Sequence, residues 1–168
     1  YQEFKEDGVF MQETNPCFYI YKIVNHQGLA FNGIIAAAST QDYEKDIIKK
    51  HEDTLEYKEE IFVKYLKTVG FNAEPVLLTY PDNDALAGII SSVMQTRAEY
   101  EFTTSHGDTH HLWPLSEMAL VSEISEIFEQ MPKLYIADGH HRSSSSCLLA
   151  QQLAQENKNH SAKEAYNF

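Results

Sequence analysis

Two short runs of the chain concentrate residue types that bind anions and move protons. The first is Asp138-Gly139-His140-His141-Arg142, set between a buried-looking apolar stretch and a helical pattern. A strand that runs straight into a helix presents unpaired backbone N–H groups at the positive end of the helix dipole, where an anion binds. Gly139 lets the backbone turn sharply and approach a ligand closely, and Arg142 offers a planar fork to phosphate or carboxylate oxygens. His140 and His141 add donors whose charge changes near neutral pH. Ser143 opens a run of four serines, Ser143 to Ser146, which helix interiors do not favour and whose hydroxyls can satisfy helix amides or touch the same guest. The expectation is a phosphate site made by Asp138, Gly139, His140, His141, Arg142 and Ser143. The plainer alternative is that Asp138 caps the helix while the histidines and Arg142 are solvated surface.

The second run is His51-Glu52-Asp53-Thr54, just before another helical pattern. It can supply a general base or a Mg²⁺ ligand, because magnesium takes one or two carboxylates and completes its shell with phosphate oxygens and water. On residue types alone, the commoner role of such a run is an N-cap, Asp53 or Thr54, followed by acids that complement the dipole. A third cluster, His106-Gly107-Asp108-Thr109-His110-His111, is followed by Leu112-Trp113. Its histidines are of a type that binds zinc and its neighbours, with His106 and His110 the candidate ligands. The spacing matches no closed zinc pattern, however, and on a strand His110 and His111 face opposite sides. Trp113 reads as core.

These runs need elements to hold them. Residues 17–24 and 29–38, joined by Asn25-His26-Gln27-Gly28, read as a β-hairpin. Residues 56–69 carry Ile61, Phe62, Tyr65, Leu66 and Val69 on one helical face, with Asp53 the expected N-cap and Gly70 the C-cap signal. A strand over 76–80 and a helix carrying Leu86, Ile89, Ile90, Val93 and Met94 follow, then strands over 100–104 and 111–115. Ser116 is the expected cap of a helix that ends near Pro132. Residues 134–137 read as a buried strand, and Cys147, Leu149, Ala150, Leu153 and Ala154 mark a last helix. Helices and strands in this order give an α+β, or mixed α/β, class: a mixed sheet with flanking helices.

Composition narrows the functions. With 168 residues, 43% hydrophobic and 23% charged, the chain suits a single folded domain. Because it begins at Tyr1 and stops at Phe168 without a polar tail, it reads as a piece cut from something longer. A net charge of −12 argues against nucleic acid as a partner, since that affinity comes from clustered Lys and Arg. Two distant cysteines, Cys17 and Cys147, suggest neither a disulfide framework nor a thiolate metal site and fit the cytoplasm. No apolar stretch approaches membrane-spanning length. The absence of nucleophile-elbow, Walker-type and dinucleotide glycine patterns removes several enzyme classes, and no haem, flavin or NAD is expected.

His51-Glu52-x-Thr54, His110-x-Leu112-Trp113 and Tyr135-Ile136-Ala137-Asp138-Gly139-His140-His141-Arg142 occur here in that order, with Gly33-Ile34-Ile35 and Asp42-Tyr43 before them. Together they resemble the uncharacterised domain family DUF1015, from about Cys17 to the end of the last helix; members of that family are longer, so the resemblance implies that residues 1–168 are a single domain forming the central fragment of a longer protein. That family is in turn similar to ParB/sulfiredoxin-type folds and to ParB-like free serine kinases, where a Gly-x-x-Arg turn at a helix N-terminus binds nucleotide phosphates. The resemblance implies a phosphate site at Gly139, His140, His141 and Arg142, and it raises Glu52 from cap to base or metal-binding acid. Ser143 departs from the family pattern, which has an aromatic residue after the arginine. ParB-type DNA partition is not implied, because the charge has the wrong sign.

The expected function is a nucleotide-dependent phosphotransferase, or small-molecule kinase, using ADP or ATP with Mg²⁺. Glu52, His51 and His140 are its expected catalytic residues. The alternatives are a non-catalytic nucleotide-binding switch and a metal-dependent hydrolase built on the histidine clusters.

Overall fold

The computed structural model describes residues 2–161 and 163–168. In chain order the elements are α1 (Gln2–Glu6), β1 (Phe18–Val24), β2 (Ala30–Ile35), α2 (Thr40–Glu44), β3 (Ile48–Lys49), α3 (Glu56–Val69) and β4 (Leu77–Thr79). They continue as α4 (Asp84–Val93), β5 (Tyr100–Thr103), β6 (Thr109–Leu115), α5 (Met118–Gln130), β7 (Leu134–Asp138), α6 (His140–Glu156) and a short 3-10 turn over Ala165–Asn167. Helices and two sheets make the class α+β. The chain forms two compact units, one from residues 1–36 and 82–130 and the other from 37–81 and 131–168.

The first unit holds an antiparallel sheet in the order β2-β1-β6-β5. The expected hairpin is there, and its turn is made by Asn25, whose side-chain oxygen accepts from the N–H groups of Gln27 and Leu29. Ile20 is fully buried and pairs across the ladder with buried Trp113, whose indole donates to the Thr96 carbonyl at 3.0 Å. Trp113 is therefore core, as its surroundings in the sequence suggest. Leu86, Ile89 and Ile90 are the buried positions of α4, one stripe at helical spacing. Asn83 caps that helix by accepting from Leu86 N–H at 2.9 Å. The helix expected from Ser116 begins two residues later, at Met118.

The second unit is built on a three-stranded mixed sheet, β3-β7-β4, with β7 in the centre. β3 runs parallel to β7 and β4 antiparallel to it. Ile48 and Ile136 are buried in these strands, and α3 and α6 pack together through Val63, Leu66, Cys147 and Ala150. The strands therefore divide between two sheets: β1 pairs with β2 and β6, while β3 and β4 pair with β7. Among the described residues, no helix is long and apolar enough to cross a membrane.

Candidate functional site

Parallel strands bring their C-terminal ends to the same edge of a sheet, and in open sheets that edge is where ligands bind. In the second unit β3 ends at Lys49 and feeds Lys50-His51-Glu52-Asp53-Thr54, while its parallel neighbour β7 ends at Asp138 and feeds Gly139-His140. The two sequence runs singled out for chemistry therefore meet. His140, the first residue of α6, is only 5% exposed, and its Nδ1 lies 3.8 Å from Glu52 Oε2. His51 Nε2 lies 3.9 Å from Glu52 Oε1, and the two imidazoles meet edge to face with ring centres 4.4 Å apart. The backbone N–H of His51 points at His140 Nε2 at 3.5 Å. One ligand-type atom from each of His51, Glu52 and His140 falls within 4.8 Å of the others, the one such group of three among the described residues.

The strand-to-helix turn has the expected form with a different division of labour. Gly139 is the N-cap of α6 at φ 98°, in the left-handed region, and no side chain caps the helix. Glycine has no side chain with which to cap the leading amides of α6. Asp138 is not the cap: its carboxylate accepts from Arg142 Nη2 at 2.8 Å, and Glu74 accepts from Arg142 Nη1. The arginine folds over Gly139, so that a Cβ there would come within 3.0 Å of Nη2, 3.1 Å of Nε and 3.2 Å of Val76 Cγ2. Arg142 Nε is buried with no hydrogen-bond partner among the described residues. His141 turns the other way and accepts from Leu55 N–H at 3.3 Å.

Beside the histidine-glutamate group, on the flank of α6, lies a cavity of about 570 Å³. His51, Glu52, Asp53, Lys50, Glu59 and Ser144 are among the side chains that line it. Glu59 accepts from both Ser144 and Thr54, and these hydrogen bonds, Ser144 foremost, hold its carboxyl below the usual glutamate range. Lys50 sits 4.6 Å over the Tyr43 ring. Cys147 also borders the cavity, but burial first, and then the neighbouring Glu44 carboxylate, push its thiol up to about 12. That shift favours the protonated thiol over the nucleophilic thiolate at neutral pH.

Glu59 was not singled out from the sequence. Its only local signal is Thr54 five residues earlier, and its second partner, Ser144, lies in the serine run whose contacts the sequence leaves open. Asp53, the expected cap of α3, lies outside that role: the N-cap is Leu55, with no side-chain bond, because Thr54 turns its hydroxyl to Glu59. Ser143 donates its backbone N–H to the Gly139 carbonyl, which closes the first turn of α6.

The third cluster belongs to the first unit. His110 and His111 take opposite faces of β6, as alternation requires. His110 Nδ1 is 2.6 Å from the Tyr21 hydroxyl and its ring stacks on Phe102 at 4.7 Å, while His111 pairs with Glu101 at 3.1 Å. Asp108 accepts from the His26 N–H at 3.0 Å, which ties the loop to the hairpin turn. His106 is exposed, and neither it nor His110 joins a group of three ligand-type side chains among the described residues.

A central mixed sheet, a strand-glycine-helix turn and a carboxylate between two imidazoles define the site of the second unit. A family model described as a protein of unknown function (DUF1015) matches residues 1–168, and the chain belongs to that family. No curated protein and no solved structure matches it.

Proposed function

We propose that the protein is a nucleotide-dependent phosphotransferase acting on a small molecule. The observation that carries this reading is the double position of His140. It opens α6, whose N-cap Gly139 makes no side-chain hydrogen bond, and its ring also touches the group that contains Glu52 and His51. A phosphate at the helix terminus therefore lies next to an acid that can act on it.

In this reading the accepting hydroxyl attacks the terminal phosphorus of ADP or ATP. Its proton passes to Glu52, and the shortened nucleotide departs with the electron pair of the broken P–O bond. Mg²⁺ delivered with the nucleotide would supply neutralisation of the phosphate charge; Glu52 would be the acid to hold it only where it does not serve as the base. Arg142 exchanges its present partners for phosphate oxygens. Asp138 and Glu74 are 75% and 74% exposed, so water can take up both carboxylates when Arg142 leaves them. Catalysis is by positioning and electrostatics, with no covalent intermediate.

Thermal shift with ADP, ATP, CTP and GTP, each with Mg²⁺, tests the binding half. A ligand at a hundred times its Kd stabilises a fold by about 2.7 kcal/mol. One or more nucleotides should raise the melting temperature of the wild type and leave Arg142→Ala unmoved. Phosphate transfer to a panel of small hydroxyl compounds, followed by phosphorus NMR, tests the chemistry, with Glu52→Gln keeping the shift and losing turnover. No shift in the wild type, or an undiminished shift in Arg142→Ala, overturns the binding. A shift without transfer to any compound turns the reading into that of a nucleotide switch.

A further inference from the structure

We infer that His51, Glu52 and His140 form a site for a first-row transition-metal dication, bound by the protein itself and not delivered with a nucleotide. Two imidazoles and one carboxylate are a donor set that zinc, manganese, iron or cobalt takes, whereas magnesium favours oxygen alone. The three ligand-type atoms already stand within 4.8 Å of one another. Bonds of roughly 2.1 Å at angles of about 90–109° set ligand atoms about 3.0–3.4 Å apart, so the nearer pairs close by about half an ångström and the widest by up to roughly 1.8 Å.

The side chains divide the work of closing. His140 is 5% exposed and held at the start of α6, so it is the fixed ligand. The side chains of His51 and Glu52 are 60% and 63% exposed and are free to swing onto an ion. His140 Nδ1 faces Glu52 Oε2 at 3.8 Å, so this nitrogen of a buried ring points into the group. The His51 backbone N–H points at His140 Nε2 at 3.5 Å, the long limit of a hydrogen bond. The segment that must shift is the one that carries the exposed ligands.

Three protein ligands leave coordination positions open, and the group adjoins the cavity lined by Lys50, Asp53, Glu59 and Ser144. The bound ion therefore meets solvent or a ligand in that cavity, the arrangement of reactive metal centres as opposed to closed structural ones.

The test is titration of the whole chain, stripped with EDTA, with Co²⁺ as the probe, reading visible absorption and the bound stoichiometry by elemental analysis. One equivalent of Co²⁺ should bind with a ligand-field spectrum and resist displacement by excess Mg²⁺. His51→Ala and Glu52→Gln change exposed side chains, so the fold, checked by circular dichroism, should persist while affinity falls at least about tenfold. His106→Ala should bind as the wild type does. Sub-stoichiometric Co²⁺, ready displacement by Mg²⁺, or unchanged binding in both site variants overturns the inference. It stands apart from the phosphotransferase reading: Co²⁺ bound with no nucleotide shift refutes only the latter, and a nucleotide shift without Co²⁺ binding refutes only the metal site.

Discussion

Gly139 is the residue on which the site turns. Its φ of 98° is a conformation that side-chain-bearing residues adopt only at a cost, and the space where a Cβ would stand is occupied by the Arg142 guanidinium and Val76. Gly139→Ala should therefore destabilise the protein by about 1–3 kcal/mol. It should also push Arg142 away from Asp138. Urea unfolding of the variant checks the first expectation, and a midpoint equal to that of the wild type would contradict it. The need for glycine was legible from the sequence, because a strand entering a helix without a loop asks for a sharp turn. That Arg142 lies against the glycine and is held by Glu74 was not legible, since 68 residues separate the pair and neither carries a local signal.

At the scale of elements, α3 and α6 are joined by more than apolar packing. Glu59 on α3 accepts from Ser144 on α6 and from Thr54, and these bonds favour the ionised carboxylate. A carboxyl whose pKa is lower folded than unfolded adds stability that is fully present above the ordinary glutamate value of about 4.3. That stability is lost as pH falls through the lowered folded value. Glu59→Gln should thus cost about 1–2 kcal/mol at pH 7, the scale of charge-assisted hydrogen bonds, and progressively less in acid. Thermal melts of both proteins at pH 7 and pH 3 give the comparison; a difference that stays constant or widens in acid would refute the account. Sequence periodicity located both helices, because the apolar stripe of a helix repeats every three or four residues. β3 escaped it, since two residues are too few to show alternation.

For the whole molecule the dominant number is the net charge of −12. Nucleic-acid binding relies on basic side chains that release condensed counterions. A fluorescently labelled DNA duplex should therefore show no anisotropy change with this protein at about 0.15 M salt, near the physiological ionic strength. Binding that weakens steeply with added salt would contradict this. Charge and length are sums over the chain, so they are readable before any fold is known. The division into two compact units, each assembled from two separate stretches, is not such a sum.

The sequence by itself determined what depends on neighbours along the chain. That covers the hairpin at Asn25–Gly28, the amphipathic stripes of α3 to α6, the opposite faces of His110 and His111, and the turn from β7 through Gly139 into α6. Only the tertiary structure decided that His51 and Glu52 meet His140 while His106 and His110 go elsewhere. The physical reason is the pairing of Ile48 with Leu134 and of Lys49 with Tyr135, one short parallel contact between strands 86 residues apart. It sets two loop starts side by side at the C-terminal edge of one sheet.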